Sequence, residues 1–480
     1  MSHHRHALPL LLWLTLSLAP LAVFAQGGYA NLPEMGDRAT TVLDADTADQ
    51  IGEMMMKRIQ AQGKLSDDPL VNDYIQRLGQ NLVSASAAST QPFRFFVINE
   101  RSINAFAMPG GYIGIHSGLL LASHSENELA AVMAHEIAHV TQHHIARSVE
   151  KAQQMNLPLT AAVIAAILLG ASDPELGNAA LAASMGASTQ MQIDFTRANE
   201  KEADRVGMQL LAAAGFDPRG MADFFLRLQQ ESRFASDGVP EFLRTHPISS
   251  ARMAEAQERA ERYPSVERQD SINYQLTKAR LMLQHGRTAE LITQLEQEDP
   301  RLRLGDEATR YLRALLHQRQ RNYSKARGIL QALHQEAPQR IAYIDGLGRL
   351  EVADGKFEQA ITHYQTGLEY YPANELLIVG LAESLMAAGE HQQAREILQQ
   401  QLKRHRSAQV LRLLAMAEAA LGNKVASHIA QAEYHLLLNE PHSAHDQLQT
   451  ARRQGPVDDY HAARIDAHLE VVERLLERQN

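Results

Sequence analysis

The C-terminal half of the chain repeats a pattern of small and turn-forming residues every 34 positions. The pairs at this spacing are Ala326 and Ala360, Ala360 and Ala394, Gly355 and Gly389, and Pro338 and Pro372. A period of this length accommodates two helices and their turns, and one such unit cannot bury its apolar face alone. The units must therefore stack on one another, which predicts an elongated array of helix pairs over residues 270–480.

The 34-residue period is that of tetratricopeptide repeats. The clearest copy runs through Ala353-Asp354-Gly355-Lys356-Phe357, Ala360, Tyr364 and Pro372. About four units are recognisable, and the irregular ends near residues 273–300 and 427–477 are suited to capping the stack. We therefore predict a tetratricopeptide repeat domain over residues 270–480. Such a stack presents a groove, which favours a protein-binding role; the alternative is an array that only packs against and stabilises the N-terminal half.

A second constraint lies in the stretch His135-Glu136-Ile137-Ala138-His139. Two imidazoles four residues apart on a helix project from the same face and can share one metal ion. Glu136 then lies beside that ion and can take a proton from a bound water. The pattern is typical of a zinc protease helix, although a chain with 22 histidines can also contain it by chance.

The residues before this motif predict that it lies within a helix. Ser125-Glu126-Asn127-Glu128 has the form of a capping box, and apolar residues follow at helical spacing. We expect the helix to continue to His143 and His144. His143 would then lie about 12 Å from His135 along the axis, too far to bind the same ion, so the third ligand must come from elsewhere.

A suitable third ligand occurs downstream, in residues 199–207, which predict the acidic start of a second helix. Glu200 and Asp204 fall on one face of that helix. Glu200 can complete a two-histidine, one-glutamate zinc site, Asp204 can hold a ligating histidine through its distal N–H, and water takes the fourth position. Glu202 is a rival third ligand. The alternative is an exposed acidic helix end that the helix dipole favours.

These motifs resemble the M48 gluzincin metalloproteases. The stretch His135 to His139 and residues 200–204 are similar to the paired pattern of that family, and so are residues 104–113 and Thr245-His246-Pro247 followed by Arg252. The resemblance implies a mainly α fold, in which a gluzincin-type metalloprotease domain of helices plus a small β-sheet, residues 26–265, precedes an α-solenoid of repeats. It also implies a zinc metalloendopeptidase with one Zn²⁺ per chain, with His135, His139 and Glu200 as metal ligands and Glu136 as the catalytic base.

Two residues of the later motif have open roles. His246 can donate to the oxyanion of the reaction, or it can bind zinc as a fourth protein ligand and displace the water. A loop histidine with no part in the site is the third alternative. The resemblance implies that Arg252 lies near the site, in contact with substrate or with an acidic residue.

Residues 92–99 predict a strand, and Pro109-Gly110-Gly111 predicts a tight turn into a second strand. A strand with a free edge beside a zinc helix can bind an extended substrate by main-chain pairing. The alternative is a hairpin that only contributes to the core.

The first 25 residues predict export from the cytoplasm. A basic start at Arg5, an apolar run from Leu8 to Leu18 and Val23-Phe24-Ala25 suit a cleaved signal peptide over residues 1–25. The chain contains no cysteine, which excludes a lipid-modified N-terminal cysteine and any disulfide. We therefore expect a soluble periplasmic protein that is not a lipoprotein. The net charge of −10 argues against nucleic acid as a partner.

Residues 157–187, between the two predicted ligand helices, are rich in apolar and small residues. The first apolar run within them is too short to span a bilayer. A lid over the cleft, a peripheral membrane contact and a buried helical hairpin are the alternatives for this segment.

The combination of signal peptide, M48-like domain and repeats resembles the periplasmic β-barrel assembly-enhancing protease family. The resemblance implies a protease and chaperone role in outer-membrane protein assembly and quality control. Its implied partners are unfolded or misassembled outer-membrane proteins and the β-barrel assembly machinery. The alternative is chiefly a repeat-based chaperone or adaptor whose zinc site is normally capped and inactive, with His246 as the cap.

Overall fold

The computed structural model describes residues 43–86, 91–154, 189–234, 240–454 and 457–477. The predicted signal peptide, residues 1–25, and the segment 157–187 lie outside the described residues. Within the described ranges, no helix combines the length and the apolar character that crossing a membrane requires.

The N-terminal half consists of helices packed around a small sheet. In chain order its elements are α1 (Ala45–Ala61), α2 (Pro69–Ser84), β1 (Arg94–Ile98), β2 (Ala105–Met108), β3 (Tyr112–His116), α3 (Ser117–Ala122), α4 (Glu126–Thr141), α5 (His144–Gln154), α6 (Thr189–Ala213), α7 (Arg219–Phe234), α8 (Glu241–Thr245) and α9 (Ser250–Glu261). Apolar side chains of α2, α4, α6, α7 and the sheet share one core. The motif helix α4 lies in the middle of this core, and nearly all of its residues are buried.

The three strands are ordered β1-β3-β2 across the sheet. β1 runs parallel to β3 with Arg94 opposite Tyr112, and β2 runs antiparallel to β3 with Met108 opposite Tyr112. The predicted turn at Pro109–Gly111 joins β2 to β3. Gly111 has a φ of 74°, and a Cβ there would lie 2.1 Å from the carbonyl oxygen of Pro92, so only glycine fits this position. The predicted strand and turn are confirmed.

Helix α4 begins where the capping box predicts. The Ser125 hydroxyl accepts a hydrogen bond from the backbone N–H of Glu128 at 3.3 Å, and the Glu128 carboxylate accepts one from the N–H of His124 at 2.8 Å. The expected continuation to His144 is wrong. The helix ends at Thr141 because His143 adopts a left-handed conformation with a φ of 53°, and α5 begins at His144.

Helix α6 approaches the motif helix α4 closely. Gly207 of α6 faces the backbone of Ala134, where a Cβ would lie 3.1 Å from the carbonyl oxygen. Ala203, one turn earlier on α6, is fully buried. Because small residues permit this short separation, the acidic face of α6 lies beside the two histidines of α4.

The C-terminal half is helical throughout the part that the structure describes. Its helices are α10 (Ile272–His285), α11 (Thr288–Glu296), α12 (Asp306–Arg319), α13 (Tyr323–Glu336), α14 (Ile341–Ala353), α15 (Phe357–Tyr370), α16 (Glu375–Ala387), α17 (His391–Leu402), α18 (Ala408–Ala420), α19 (Lys424–Leu437), α20 (Pro441–Arg453) and α21 (Asp459–Glu477). The repeating alanines Ala326, Ala360 and Ala394 are fully buried. Gly355 and Gly389 have φ values of 75° and 85° in the turns between helices. The prediction of tetratricopeptide-like helix pairs is confirmed.

Helix α10 connects the peptidase core to the repeat core. Tyr274 and Leu281 belong to the core of the N-terminal half, whereas Leu276 and Ala279 belong to that of the first repeats. Polar contacts reinforce the junction, since Arg280 Nε donates to Asp68 Oδ2 at 2.6 Å. The shared helix gives the repeats a packed rather than a flexible attachment to the N-terminal half.

Candidate metal centre

Four side chains from three segments converge beside α4: His135, His139, Glu200 and His246. The Nε2 atoms of His135 and His139 lie 3.0 Å apart. The Glu200 carboxylate lies 3.4 Å from each of these nitrogens, with one oxygen directed to each ring. The predicted ligand set is therefore assembled in space, with His246 as a fourth member. We call these four residues the ligand cluster.

The spacing of the ligand cluster suits a tetrahedral metal ion. Nitrogen and oxygen ligands about 2 Å from a tetrahedral zinc ion lie about 3.3 Å from one another. His246 Nδ1 lies 3.4 Å from His135 Nε2 and 3.0 Å from Glu200 Oε1, so its position also agrees with a ligand of the same ion. Two or three imidazoles with one carboxylate form a donor set that zinc favours.

The back of the cluster is held by Asp204 and Arg252. Asp204 Oδ1 lies 3.0 Å from His135 Nδ1, the nitrogen that faces away from the ligand cluster. Arg252 donates to both oxygens of Asp204 at 2.7 Å, and its Nη1 lies 2.9 Å from Glu200 Oε2. The guanidinium is 2% exposed and therefore contacts these acids rather than solvent. Arg252 is thus placed against acidic residues, one of the two positions that the sequence left open.

Neighbouring polar and charged side chains determine the pKa values of the residues in this buried site. Burial lowers the pKa of His135, but its hydrogen bonds to Asp204 and Glu200 outweigh burial and raise that pKa to about 10. Burial alone would raise the pKa of Glu200, but His246 and His135 hold it well below its usual range. The metal-free protein therefore keeps the carboxylate ionised and ready to accept a cation.

Glu136 lies beside the ligand cluster and is 1% exposed. Burial raises the pKa of its carboxyl, although the nearby imidazoles of His246 and His135 and a hydrogen bond from the backbone N–H of Ala107 oppose this effect. Glu136 Oε1 lies 3.5 Å from His246 Nε2. His246 thus directs its Nδ1 to the other members of the ligand cluster and its Nε2 to Glu136, the predicted base.

The strand β2 forms one edge of the sheet. Since Ala107 of β2 donates its N–H to Glu136, the outer side of this edge faces the Glu136 carboxylate. An extended chain that pairs with this edge would run past the ligand cluster.

A second network, which the sequence did not predict, lies on the far side of His139. His144 Nδ1 is 2.8 Å from His139 Nδ1, and His144 Nε2 is 3.2 Å from Glu202 Oε2. Arg147 donates to the same Glu202 oxygen at 2.8 Å. Glu202, the rival third ligand, is thus outside the ligand cluster. The available signal was the second histidine after the motif, but a continuous helix would have directed it away from His139.

Two family models and several known proteins match this chain. Residues 69–260 match the model of peptidase family M48, and residues 351–417 match that of the tetratricopeptide repeat. The chain is 36% identical over 455 residues to the β-barrel assembly-enhancing protease of Escherichia coli (strain K12), covering 93% of this chain and 92% of that protein. It is 32% identical over 454 residues to the protein of the same name from Yersinia pestis, with the same coverage of each. It is also 30% identical over 190 residues to the mitochondrial metalloendopeptidase OMA1 of Arabidopsis thaliana, covering 39% of this chain and 36% of that protein. The M48 match spans every member of the ligand cluster.

Proposed function

Because this chain belongs to peptidase family M48 and is homologous over nearly its whole length to β-barrel assembly-enhancing proteases, we propose that it is a zinc-dependent endopeptidase of the periplasm. Its proposed clients are misfolded or stalled outer-membrane β-barrel proteins, which it degrades or helps to mature at their assembly machinery. The observation that carries the enzymatic part is the convergence of His135, His139 and Glu200 around a point beside Glu136. The names of the relatives support the choice of clients.

We propose that three parts of the chain have separate functions. Residues 1–25 direct export, residues 26–265 carry out hydrolysis, and residues 270–480 bind clients or the assembly machinery. The packed junction at α10 supports this arrangement, because a client held by the repeats would stay at a fixed distance from the catalytic centre.

In the proposed reaction His135, His139 and Glu200 hold the metal. When bound, zinc supplies Lewis acidity to the scissile carbonyl and lowers the pKa of a water molecule. Glu136 accepts the proton of the attacking water and then delivers it to the leaving amine. Burial suits Glu136 to both steps, because it raises the pKa of the carboxyl toward the working pH.

Asp204 and Arg252 keep the metal ligands in place. With Nε2 of His135 directed to the metal, its Nδ1 carries the hydrogen and donates it to Asp204. Arg252 then fixes Asp204 through two hydrogen bonds, and its positive charge limits the repulsion between Asp204 and Glu200. The outer edge of β2, beside Glu136, is the proposed site for the substrate backbone, because main-chain pairing depends little on the identity of the side chains.

One observation favours a second function, that of a chaperone or adaptor with a capped metal site. His246 Nδ1 lies at ligand distance from His135 and Glu200 and would occupy the fourth position of a tetrahedral ion. A water molecule could not then bind there. In the enzymatic alternative, His246 leaves this position and donates to the oxyanion.

The test compares wild type with Glu136→Gln in the full chain. Zinc content by elemental analysis should be one ion per chain in both proteins. Casein cleavage by Glu136→Gln should fall by about 10² to 10⁴, the usual contribution of general acid–base catalysis. Glu258→Gln, on an exposed surface of α9, is the matched control and should cleave at the wild-type rate.

Client maturation in cells separates the two functions. If Glu136→Gln abolishes degradation of stalled β-barrel proteins, the enzymatic function stands. If maturation and degradation are both unaffected by Glu136→Gln while deletion of residues 270–480 abolishes them, the chain acts as a chaperone. Equal casein cleavage by wild type and Glu136→Gln would overturn the catalytic assignment.

A further inference from the structure

The ring of His139 has a close partner on the side away from the ligand cluster. His144 Nδ1 lies 2.8 Å from His139 Nδ1, and the two rings are 4.8 Å apart between centroids at an interplanar angle of 77°. His144 is buried at 3% exposure. A buried imidazole in such contact with a metal ligand is held in one orientation by its surroundings.

The break between α4 and α5 is what produces this contact. Residues five positions apart on a continuous helix differ by about 140° around the axis, so His144 would point away from His139. The left-handed His143, with a φ of 53°, interrupts the helix and returns the chain so that the two rings meet. Such a conformation is unfavourable for a residue with a Cβ, and the contacts of its neighbours must compensate for it.

The network continues from His144 to the carboxylate of Glu202 and the guanidinium of Arg147. His144 Nε2 lies 3.2 Å from Glu202 Oε2, and Arg147 Nη1 donates to that oxygen at 2.8 Å. Glu202 stands two residues after Glu200 on α6, whereas Arg147 stands on α5. The helix that provides the carboxylate of the ligand cluster therefore also provides the end of this network.

The hydrogen-bond chemistry of the network has one consistent arrangement around a metal. His139 Nε2 faces the ligand cluster, so its hydrogen is on Nδ1. His144 Nδ1 must then accept that hydrogen bond, and the hydrogen of His144 is on Nε2, which donates to Glu202. In this arrangement the N–H of His139 donates to His144 and the N–H of His144 donates to Glu202. Both imidazoles are then neutral.

We propose that His144 is a positioning residue that, with Glu202 and Arg147, fixes the tautomer and ring orientation of His139 for metal binding. This network would act on His139 as Asp204 and Arg252 act on His135. This inference rests on the proposed role of His139 as a metal ligand. Partners of this kind change metal affinity by about 10- to 100-fold when removed.

The experiment measures zinc affinity of the full chain by chelator competition, beside the thermal denaturation midpoint of the metal-free protein. His144→Phe removes the acceptor and should weaken zinc binding about 10- to 100-fold. His144→Asn keeps an acceptor oxygen near the position of Nδ1 and should restore part of that loss. Glu202→Gln should cause a smaller loss, because Gln retains an oxygen that can accept from His144.

His143→Asn is the matched control. It changes the neighbouring histidine to a residue that also tolerates the left-handed conformation, and zinc affinity should equal that of wild type. A purely structural role for His144 would lower the denaturation midpoint of the metal-free protein equally in His144→Phe and His144→Asn. The positioning role requires the two variants to differ in zinc affinity.

Wild-type zinc affinity in His144→Phe would overturn the inference, and so would equal losses in His144→Phe and His144→Asn. If His144→Phe does not fold, Glu202→Gln decides, and unchanged affinity in that variant overturns the inference. His139→Ala separates this result from the proposed function. If His139→Ala binds zinc as tightly as wild type, the metal site itself is wrong, whereas a loss in His139→Ala without one in His144→Phe overturns only the positioning role.

Discussion

Arg252 holds Asp204 with two hydrogen bonds of 2.7 Å, and both side chains are buried directly behind the ligand cluster. The same guanidinium also contacts Glu200 at 2.9 Å. Two carboxylates in one buried space repel each other, and the Arg252 guanidinium, like the ring of His135, lies against both. The pKa of Asp204 is accordingly lowered, since its hydrogen bonds to Arg252 and His135 outweigh the effect of burial.

Arg252→Met should therefore destabilise the metal-free protein strongly. Removing one partner of a buried ion pair leaves an uncompensated charge and costs about 3–5 kcal/mol. Arg252→Lys keeps the charge but loses the planar guanidinium that binds both oxygens of Asp204. Its loss of stability should therefore be smaller than that of Arg252→Met. Urea denaturation of the metal-free proteins measures the difference. A wild-type midpoint for Arg252→Met would show that Asp204 and Glu200 are not compensated by this residue.

His246→Ala distinguishes the two roles of the histidine beside Glu136. Since His246 Nδ1 lies among the ligand atoms, its removal should free the fourth position and increase casein cleavage at unchanged zinc content. A donor to the oxyanion would instead be worth about 10² to 10³ in rate, and its loss would slow cleavage by that factor. The direction of the change in rate therefore identifies the role. Zinc must be measured in parallel, because loss of the ion would also slow cleavage.

Local sequence signals predicted much of this architecture. The capping box at Ser125 determined the start of α4, and the glycines at the turn between β2 and β3 determined a hairpin that only glycine can form. The period in the C-terminal half predicted the buried alanines of the repeats. Each of these features depends on the residues next to it in the chain, so a single sequence was sufficient.

The contacts that surround the metal ligands were only partly predictable. Arg252 was expected near the site, but its fork onto Asp204 joins residues 48 positions apart, and no local pattern specifies such a pair. His144 was missed for a different reason. Its contact requires the left-handed conformation of His143, and histidine is not a residue whose presence alone predicts that conformation.

Lys278 gives the junction between the two halves a dependence on pH. Burial lowers the pKa of this amine from 10.5 to about 8, and its Nζ donates to the carbonyl oxygen of Ser123 at 2.5 Å. Between pH 8 and 10.5 the unfolded chain binds more protons than the folded one, so Lys278 makes stability rise with pH in that window. Below pH 8 its burial as a cation is unfavourable by a constant amount.

Lys278→Met should therefore stabilise the protein at pH 7, by at most about 3 kcal/mol. The Ser123 carbonyl keeps a hydrogen bond from Tyr274 at 2.9 Å, so the substitution leaves no buried acceptor unpaired. The gain should shrink as the pH rises from 8 to 10.5. Thermal denaturation of both proteins across this range measures it, and a constant difference would show that Lys278 does not titrate in the folded state.

Glu433 should also make stability rise with pH, but in the acidic range. Burial raises the pKa of this carboxyl, but His468 and Arg464 outweigh burial and lower it to about 2. Arg406 also pairs with it at 2.8 Å. Because the folded pKa lies below the unfolded value of 4.5, the stabilisation is complete above pH 4.5 and is lost as the pH falls toward 2. Its full size is about 3 kcal/mol.

Glu433→Gln should consequently weaken the last repeats at pH 7 and have little effect near pH 2. Amide hydrogen exchange of α19 and α21 reports this local change, because these helices contribute Glu433 and its partners Arg464 and His468. Glu470→Gln is the matched control, since that glutamate lies on an exposed face of α21. Equal protection of α19 in wild type and Glu433→Gln at pH 7 would mean that the cations around Glu433 contribute no net stability, as exposed ion pairs often do not. A loss of protection confined to the end of the repeats would show that the capping units open independently of the peptidase core.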